Sequence, residues 1–389
     1  MGKLEQLIKN YCPDGVEYKS LESCCVVLDK LRKPVTKGAR EKGEYPYYGA
    51  NGIQDYVSSY IFDGTFVLVG EDGSVVNENG NPIVNWAEGK IWVNNHAHII
   101  AEKGGVSLRY LFHFLKTINV RDLIHGNIPK LTQGDFKNLQ IAVPPLPVQE
   151  EIVRILDTFT ELEAELEAEL EARKKQYEYY RDLIMSCENN KTLLLNKGDY
   201  KKIGEIAKNE RTRNKGQLCK RAFSITKGGL VSTSSYFKDA KVTSEDTSNY
   251  LIVKKDWFVY SPSRIDVGSI NFLREDEDVI VSPMNVVFSV DNSQMMSAFL
   301  LYFLSSREGS WQILSNRQGI EGTGRKLLPF ETFSKITIPV PPLPIQKKVV
   351  MILDTFKELE TELENNLERR KTQYEYYRDK LLTFKRKEV

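Results

Sequence analysis

The chain has 389 residues, with 54 Lys and Arg against 53 Asp and Glu, a net charge of +1 at pH 7, and a composition that is 41% hydrophobic and 28% charged. That length supports two or three domains with cores of their own, and a charge so near zero announces no polyanion partner, although an acidic first helix and a basic region over residues 199–340 lie hidden in the sum. Five cysteines without a CxxC spacing exclude a disulfide frame and point to free thiols in a reducing compartment; with no membrane-length apolar run and no signal peptide in residues 1–10, the expected location is the cytoplasm.

Residues 1–16 read as a short helix closed by the turn Cys12-Pro13-Asp14-Gly15. A first domain follows over residues 17–145. It opens with Glu17-Tyr18-Lys19-Ser20-Leu21, and residues 61–70 and 90–100 have β-rich, partly alternating patterns separated by the turn chemistry of Glu71-Asp72-Gly73 and Glu78-Asn79-Gly80-Asn81-Pro82. A helix over 108–118, a Gly-x-x-x-Lys-Leu element from Gly126 to Leu131 and a strand over 139–143 complete it. Val143-Pro144-Pro145-Leu146-Pro147 then leads into residues 146–190, where Ile152, Leu156, Phe159, Leu162, Leu166, Leu170, Tyr177 and Tyr180 draw one apolar seam at helical spacing. Prolines cannot continue a helix, so this one is expected to begin after Pro147, near Gln149. Roughly 36 residues at about 1.5 Å each make a rod of roughly 54 Å, and so narrow a seam needs a partner.

The whole order then repeats. Asp199-Tyr200-Lys201-Lys202-Ile203 opens a second domain over residues 199–342, with strand patterns over 250–260 and 279–290, a helix over 298–306, a second Gly-x-x-x-Lys-Leu element from Gly322 to Leu327 and a strand over 336–340. Val340-Pro341-Pro342-Leu343-Pro344 leads into residues 343–387. There Leu359, Leu363, Leu367, Tyr374 and Tyr377 repeat the seam, and Gln373-Tyr374-Glu375-Tyr376-Tyr377-Arg378-Asp379 repeats Gln176-Tyr177-Glu178-Tyr179-Tyr180-Arg181-Asp182. Each helix is acidic early and basic late, so antiparallel packing sets opposite charges together. The expected fold class is α+β: two α/β domains joined by two long helices that form an antiparallel coiled coil, with an internal pseudo-two-fold repeat. The helices are nearly copied while most positions inside the domains differ, so the two domains are expected to recognise different things.

These features resemble the specificity (S) subunit of type I restriction-modification systems. The residues that carry the resemblance are Gly126-Asn127-Ile128-Pro129-Lys130-Leu131-Thr132, the two Val-Pro-Pro-Leu-Pro motifs with Gln149 and Gln346 after them, the Leu-Asp-Thr-Phe segments at Leu156 and Leu353, the paired Gln-Tyr-Glu-Tyr-Tyr-Arg-Asp ends, and the strand from Ile91 to His98. The resemblance implies a non-catalytic reader of double-stranded DNA. It implies one target-recognition domain per half of a split site and spacer helices that dock two methyltransferase (M) subunits, with restriction (R) subunits joining that core. S-adenosylmethionine, ATP and Mg2+ would then belong to the partners, and this chain would bind no cofactor and no metal.

Against that background several residues are candidate DNA contacts. Lys130 and Lys326 align in the Gly-x-x-x-Lys-Leu elements and could clamp a phosphate in both halves, with Arg325 beside Lys326; the structural alternative is a lysine capping the loop. Asn94 and Asn95 are candidate base readers because a carboxamide can bond adenine bidentately, or else they cap a strand edge. His96 and His98 alternate on one expected strand face; with no third ligand at suitable spacing, a DNA-facing or internally satisfied pair is favoured over metal. Arg211, Arg213 and Lys215 open the densest basic cluster, which suits phosphate or a solvated surface. Tyr45, Tyr47 and Tyr48 read as core.

Catalysis by the chain itself finds little support. Ser261-Pro262 and Ser282-Pro283 lack the second proline and aromatic residue of a base-methyltransferase motif, and the stretch from Gly319 to Lys326 lacks the Gly-Lys-Ser/Thr ending of a nucleotide loop. A coiled-coil adaptor that binds only proteins, and a DNA-modifying enzyme with an unrecognised site, are the competing readings.

Overall fold

The prolines expected to precede the long helices lie inside them. The helices Leu146–Met185 and Leu343–Leu382 are 40 residues each, with Pro147 and Pro344 as their second residues. A proline in the first turn lacks only an N–H that has no intrahelical acceptor, and its fixed φ suits the helix, so each helix starts before the position that a proline-as-breaker rule gives.

The computed structural model describes residues 2–73, 75–186, 200–237, 243–319 and 326–388. The chain forms two compact units, Met1–Glu167 with Asn365–Val389, and Ala168–Glu364, each of which takes part of both long helices.

The first unit is built on a six-stranded sheet in the order Cys25–Val27, Ala97–Glu102, Phe62–Gly70, Val84–Val93, Lys42–Gly49, Gly52–Val57. Its pairings are antiparallel except that Lys42–Gly49 runs parallel to Val84–Val93. Phe66, Val67, Leu68 and Val69 are buried on both faces of the sheet, as an unbroken apolar run in a central strand should be. The expected strand over 90–100 is interrupted by a turn at Asn95 and His96, so a new strand begins at Ala97. Helix Leu108–Leu115 joins Ile152 and Leu156 of the first long helix and Tyr374, Leu381 and Leu382 of the second in one core. The C-terminal tail returns to the start of the chain: the Val16 amide donates to Lys385 O at 2.9 Å and the Lys387 amide donates to Val16 O at 2.9 Å. Gly15 makes this possible, with φ of +102° and a Lys385 oxygen 2.4 Å from where a Cβ would stand.

The second unit repeats the frame with a smaller sheet, ordered Ala207–Glu210, Val286–Val290, Phe258–Tyr260, Ile270–Phe272. Phe258, Phe288, Phe299, Phe303 and Phe333 fill its core together with Val349, Leu353, Tyr177 and Met185 from the long helices.

The motifs shared by the halves are clamps. Gln149 and Gln346 are fully buried. In the first unit Gln149 Oε1 accepts the Ser107 amide at 2.9 Å while its Nε2 donates to Pro144 O at 2.7 Å; in the second, Gln346 Oε1 accepts the Met296 amide at 2.8 Å and its Nε2 donates to Pro341 O at 2.7 Å. About two turns further on, Asp157 accepts from Arg109 Nε and His113 Nε2, both at 2.8 Å, and Asp354 accepts the hydroxyl of Tyr302. The same two side chains thus tie each long helix to its domain.

Within the first unit Phe159 stacks on Tyr377 at 5.4 Å and Lys371 pairs with Glu167 at 3.0 Å; within the second, Tyr180 stacks on Phe356 at 5.7 Å and Lys174 pairs with Glu364 at 2.7 Å. Numbers rise on one helix as they fall on the other, so the helices are antiparallel inside each unit, with acid against base. The seam corrects the expected phase at one step. After Phe159 and Phe356 it moves four positions to Glu163 and Glu360, which leaves Leu162 and Leu359 on the outside, 37% and 42% exposed. Burial raises the pKa of both glutamates above the ordinary value. Leu166, Leu170 and Leu363 are half-buried; Leu367, Tyr177 and Tyr374 are buried.

Candidate nucleic-acid interface

The strand Ala97–Glu102 places His98 between its neighbours, and the side chain is completely buried. His98 Nδ1 donates to Asp29 Oδ2 at 2.6 Å and Nε2 donates to Leu131 O at 3.0 Å, while the ring stacks on Phe136 at 4.2 Å. The expectation that His96 and His98 share a face is therefore corrected: the turn before Ala97 breaks the alternation, and His98 has no face toward solvent. His96 is exposed and paired with Asp72. Asn94 is also withdrawn as a base reader, since it is buried, accepts the His96 amide at 2.8 Å and faces Gln54 at 3.4 Å. Asn95 remains exposed.

Around His98 lies a closed polar network. Asp29 Oδ1 accepts the Ile99 amide at 2.9 Å and Oδ2 accepts Gln133 Nε2 at 2.9 Å. Arg32 Nη1 donates to Glu71 Oε2 at 2.5 Å and Nη2 lies 3.5 Å from Asp29 Oδ2. Burial raises the pKa of the Asp29 carboxyl, but the His98 hydrogen bond and charge, the Ile99 amide and Gln133 outweigh it and hold the group below the ordinary carboxylate value. Asp29, Glu71 and His98 bring one donor atom each within 4.8 Å of one another, a third-ligand grouping that sequence spacing does not reveal. Arg32 already supplies the cation between these carboxylates, so an ion network accounts for the grouping.

Lys130 belongs to this network, with Nζ 3.2 Å from Glu71 Oε1 and the side chain half-exposed. Lys326 does not hold the equivalent place. The Leu131 amide donates to Glu71 O and the Leu328 amide to Pro262 O, so Leu131 matches Leu328, and Lys130 matches Leu327. The alignment of the two lysines from the sequence is one residue out of step with the backbone. Lys326 is exposed in the short strand Lys326–Leu327, and Arg325 lies outside the described residues, as does most of the glycine-rich stretch before it.

Two clefts open on these frames. In the first unit Asn51, Gln54, Asp72, His96 and Ile128 line about 390 Å³, with Ile128 exposed at the rim. Ile128 sits in the motif already singled out, but Asn51 and Gln54 come from the turn and second strand of a hairpin of which only the tyrosines of the first strand drew notice. In the second unit Arg211 and Arg213 line another cleft of about 390 Å³ with Met284 and Phe330. Arg213 donates to Asn249 Oδ1 at 2.7 Å, and Lys215 is exposed beyond it. Arg221, ten residues beyond Arg211, is neutralised by Glu275 and Glu277. Tyr47 and Tyr48 are core, as expected. Cys12, Cys24, Cys25 and Cys219 are free thiols, Cys187 lies outside the described residues, and no described helix is long and apolar enough to cross a membrane.

The long helices also expose a repeated surface. Tyr179 and Tyr376, equivalent in the repeated ends, are 63% and 60% exposed. In the first unit Ile155, Phe159, Leu162, Tyr377 and Leu381 line a groove of about 370 Å³ flanked by Arg154 and Arg370, and in the second Ile352 and Leu359 are exposed at the positions of Ile155 and Leu162.

Comparison with known proteins agrees with this picture. The family model described as the type I restriction modification DNA specificity domain matches residues 13–172 and again 190–370. A Haemophilus influenzae protein described as a candidate type I restriction enzyme specificity subunit is 34% identical over 98% of both chains. The Escherichia coli EcoR124I/EcoR124II specificity subunit is 30% identical over 72% of both chains. Among solved structures, the S subunit of a type I restriction-modification system from M. genitalium shares the fold with a TM-score of 0.58 at 14% identity, covering 95% of this chain and 96% of that one. With a domain match in each half and a relative alignable from end to end, this chain belongs to the type I restriction-modification DNA specificity subunits.

Proposed function

We propose that the two units each read one half of a two-part site on double-stranded DNA, and that the chain has no catalysis of its own. The observation that carries this reading is the contrast inside the repeat. The clamps Gln149 and Gln346, and Asp157 and Asp354, are the same in both halves, while the positions around the sheet edge differ in charge and size. A shared frame with divergent faces is what two readers of different sequences need.

In this reading the long helices form an antiparallel coiled coil that spaces the units, and their repeated exposed tyrosines and exposed apolar side chains dock two methyltransferase subunits, one per repeat. Restriction subunits join that assembly. S-adenosylmethionine, ATP and Mg2+ act on those partners, where the chemistry takes place.

The test is reconstitution. The purified chain with its cognate methyltransferase should methylate a discontinuous motif that neither methylates alone. Exchanging residues 199–342 for the same region of another family member should replace one half-site and keep the other. Methylation by this chain alone would make it an enzyme, and partner binding without sequence dependence would make it an adaptor.

A further inference from the structure

At one place the two units keep the same backbone pairing and carry different side chains on it. In the first unit Leu28 pairs with Ile99 and Val69 with His98; in the second Glu210 pairs with Val287 and Tyr260 with Val286. Together with the matched amides of Leu131 and Leu328, these pairings align Asp29 with Arg211, Glu71 with Pro262, His98 with Val286, Lys130 with Leu327 and, at the first residue of each following helix, Gln133 with Phe330. In the first unit the five side chains satisfy one another and, with Arg32, close the space. In the second the same five positions line the open cleft of about 390 Å³. One cation over four apolar side chains replaces a self-neutralising cluster.

Arg211 is 74% exposed, and its nearest carboxylate, Glu331, is 3.6 Å away and equally solvated, a weak pair. Asn209 steadies it: with the carboxamide in the orientation that satisfies both its ends, Nδ2 donates to Val287 O and Oδ1 accepts Arg211 Nη2, each at 3.2 Å. The contacts of Arg211 fall on Nη2, and Pro262, Leu327 and Phe330 line the cleft it shares. Arg213, the other cation lining the cleft, is bonded to Asn249 Oδ1, and Pro262, Leu327 and Phe330 offer no donor to the charged oxygens of a phosphate held by Arg211. A flat aromatic edge carrying two adjacent acceptors suits both the guanidinium fork and these apolar side chains, and in the major groove that edge is the O6 and N7 face of guanine. Met284, 83% exposed, stands at the rim where the first unit has His96.

We infer that Arg211 is a specificity-determining residue that reads a guanine in the half-site of the second unit, at an open cleft that the first unit fills with its buried ion network. This rests on the second unit being a DNA reader. The test uses the full chain assembled with its methyltransferase subunits on site-randomised DNA, with Arg211→Ala and Arg211→Lys. Lysine keeps the charge and loses the fork. Both variants should admit other bases at one position of the half-site assigned by exchanging residues 199–342, with discrimination there falling by about 5- to 150-fold. The other half-site should stay unchanged, which also reports that the chain is folded. If Arg211→Lys keeps the motif intact and Arg211→Ala weakens all sequences alike with a smaller salt slope, Arg211 holds a phosphate and the inference is overturned while the DNA reader stands. If the unaltered chain shows no sequence preference in that half, the reader itself fails and the inference falls with it.

Discussion

His98 Nδ1 lies 2.6 Å from Asp29 Oδ2, and neither side chain reaches solvent. Residues far apart in sequence thereby close the edge of the first sheet, and removing Asp29 leaves buried His98 Nδ1, the Ile99 amide and Gln133 Nε2 without their acceptor. Asp29→Ala should cost roughly 3–5 kcal/mol. Hydrogen exchange should show the Ile99 amide, which donates to Asp29 Oδ1, losing protection first. Because the Asp29 pKa is held below its ordinary value, its contribution is fully present above the unfolded carboxylate value of about 3.9 and is lost as pH falls through the lower folded value. Acid titration of the unaltered chain against Asp29→Ala should show the difference vanishing in that window.

Lys130 is bonded to Glu71, and its proposed counterpart Lys326 is out of step with it. Lys130→Ala should therefore lower stability by up to about 1 kcal/mol, the range of a half-exposed pair. DNA titrations at several salt concentrations should give an unchanged slope. A slope smaller by about one would make Lys130 a phosphate contact.

Gln149→Leu leaves the Ser107 amide and the Gly105 and Pro144 carbonyls without their partner. A loss of roughly 2–4 kcal/mol is expected. Gln346→Leu should do the same in the second unit, and hydrogen exchange should report each loss in its own unit.

His113 offers a pH test. Burial, the largest influence, holds its pKa below the ordinary histidine value against the opposing pull of Asp157, so the folded chain prefers the neutral ring, with Nε2 donating to Asp157 and Nδ1 accepting from Tyr374. Nearby Arg109 and Lys116 push the same way. A histidine depressed in the folded state stabilises fully above about 6.5 and loses that contribution as pH drops below it. His113→Tyr copies Tyr302, the residue at this place in the second unit, and melting curves from pH 7.5 to 5.5 should lose that slope.

If the helices space two readers, adding four residues within residues 164–170 should lengthen the gap by roughly 6 Å, about one or two base pairs, and leave both half-sites as they are. Altered half-sites with a constant gap would remove the helices from that role.

The parts of this molecule legible in the sequence are those fixed by local chemistry and repetition. The doubled Pro-Pro-Leu-Pro and Gln pattern marked both helices because proline restricts the backbone and a buried glutamine needs fixed partners. The seam went astray at Leu162 because a helix of 3.6 residues per turn permits a step of three or four, and only packing showed that Glu163 turns inward. The sequence left His98 either DNA-facing or internally satisfied because Asp29 and Glu71, which satisfy it, come from a turn and a strand end far along the chain and leave no trace in its own segment. The aligned lysines misled because identity of letters outweighed the backbone frame, which Leu131 and Leu328 keep.

The return of residues 384–388 to Val16 bears on how the chain is made. The core of the first unit includes Tyr374, Leu381 and Leu382, yet the 197 residues of Ala168–Glu364 must leave the ribosome before these arrive. At translation rates of about 5–20 residues per second that is a wait of roughly 10–40 s. During it Leu21, Tyr110 and Phe136 must hold the first sheet together without their last helix, and a truncated product that ends in the second domain leaves that helix missing for good.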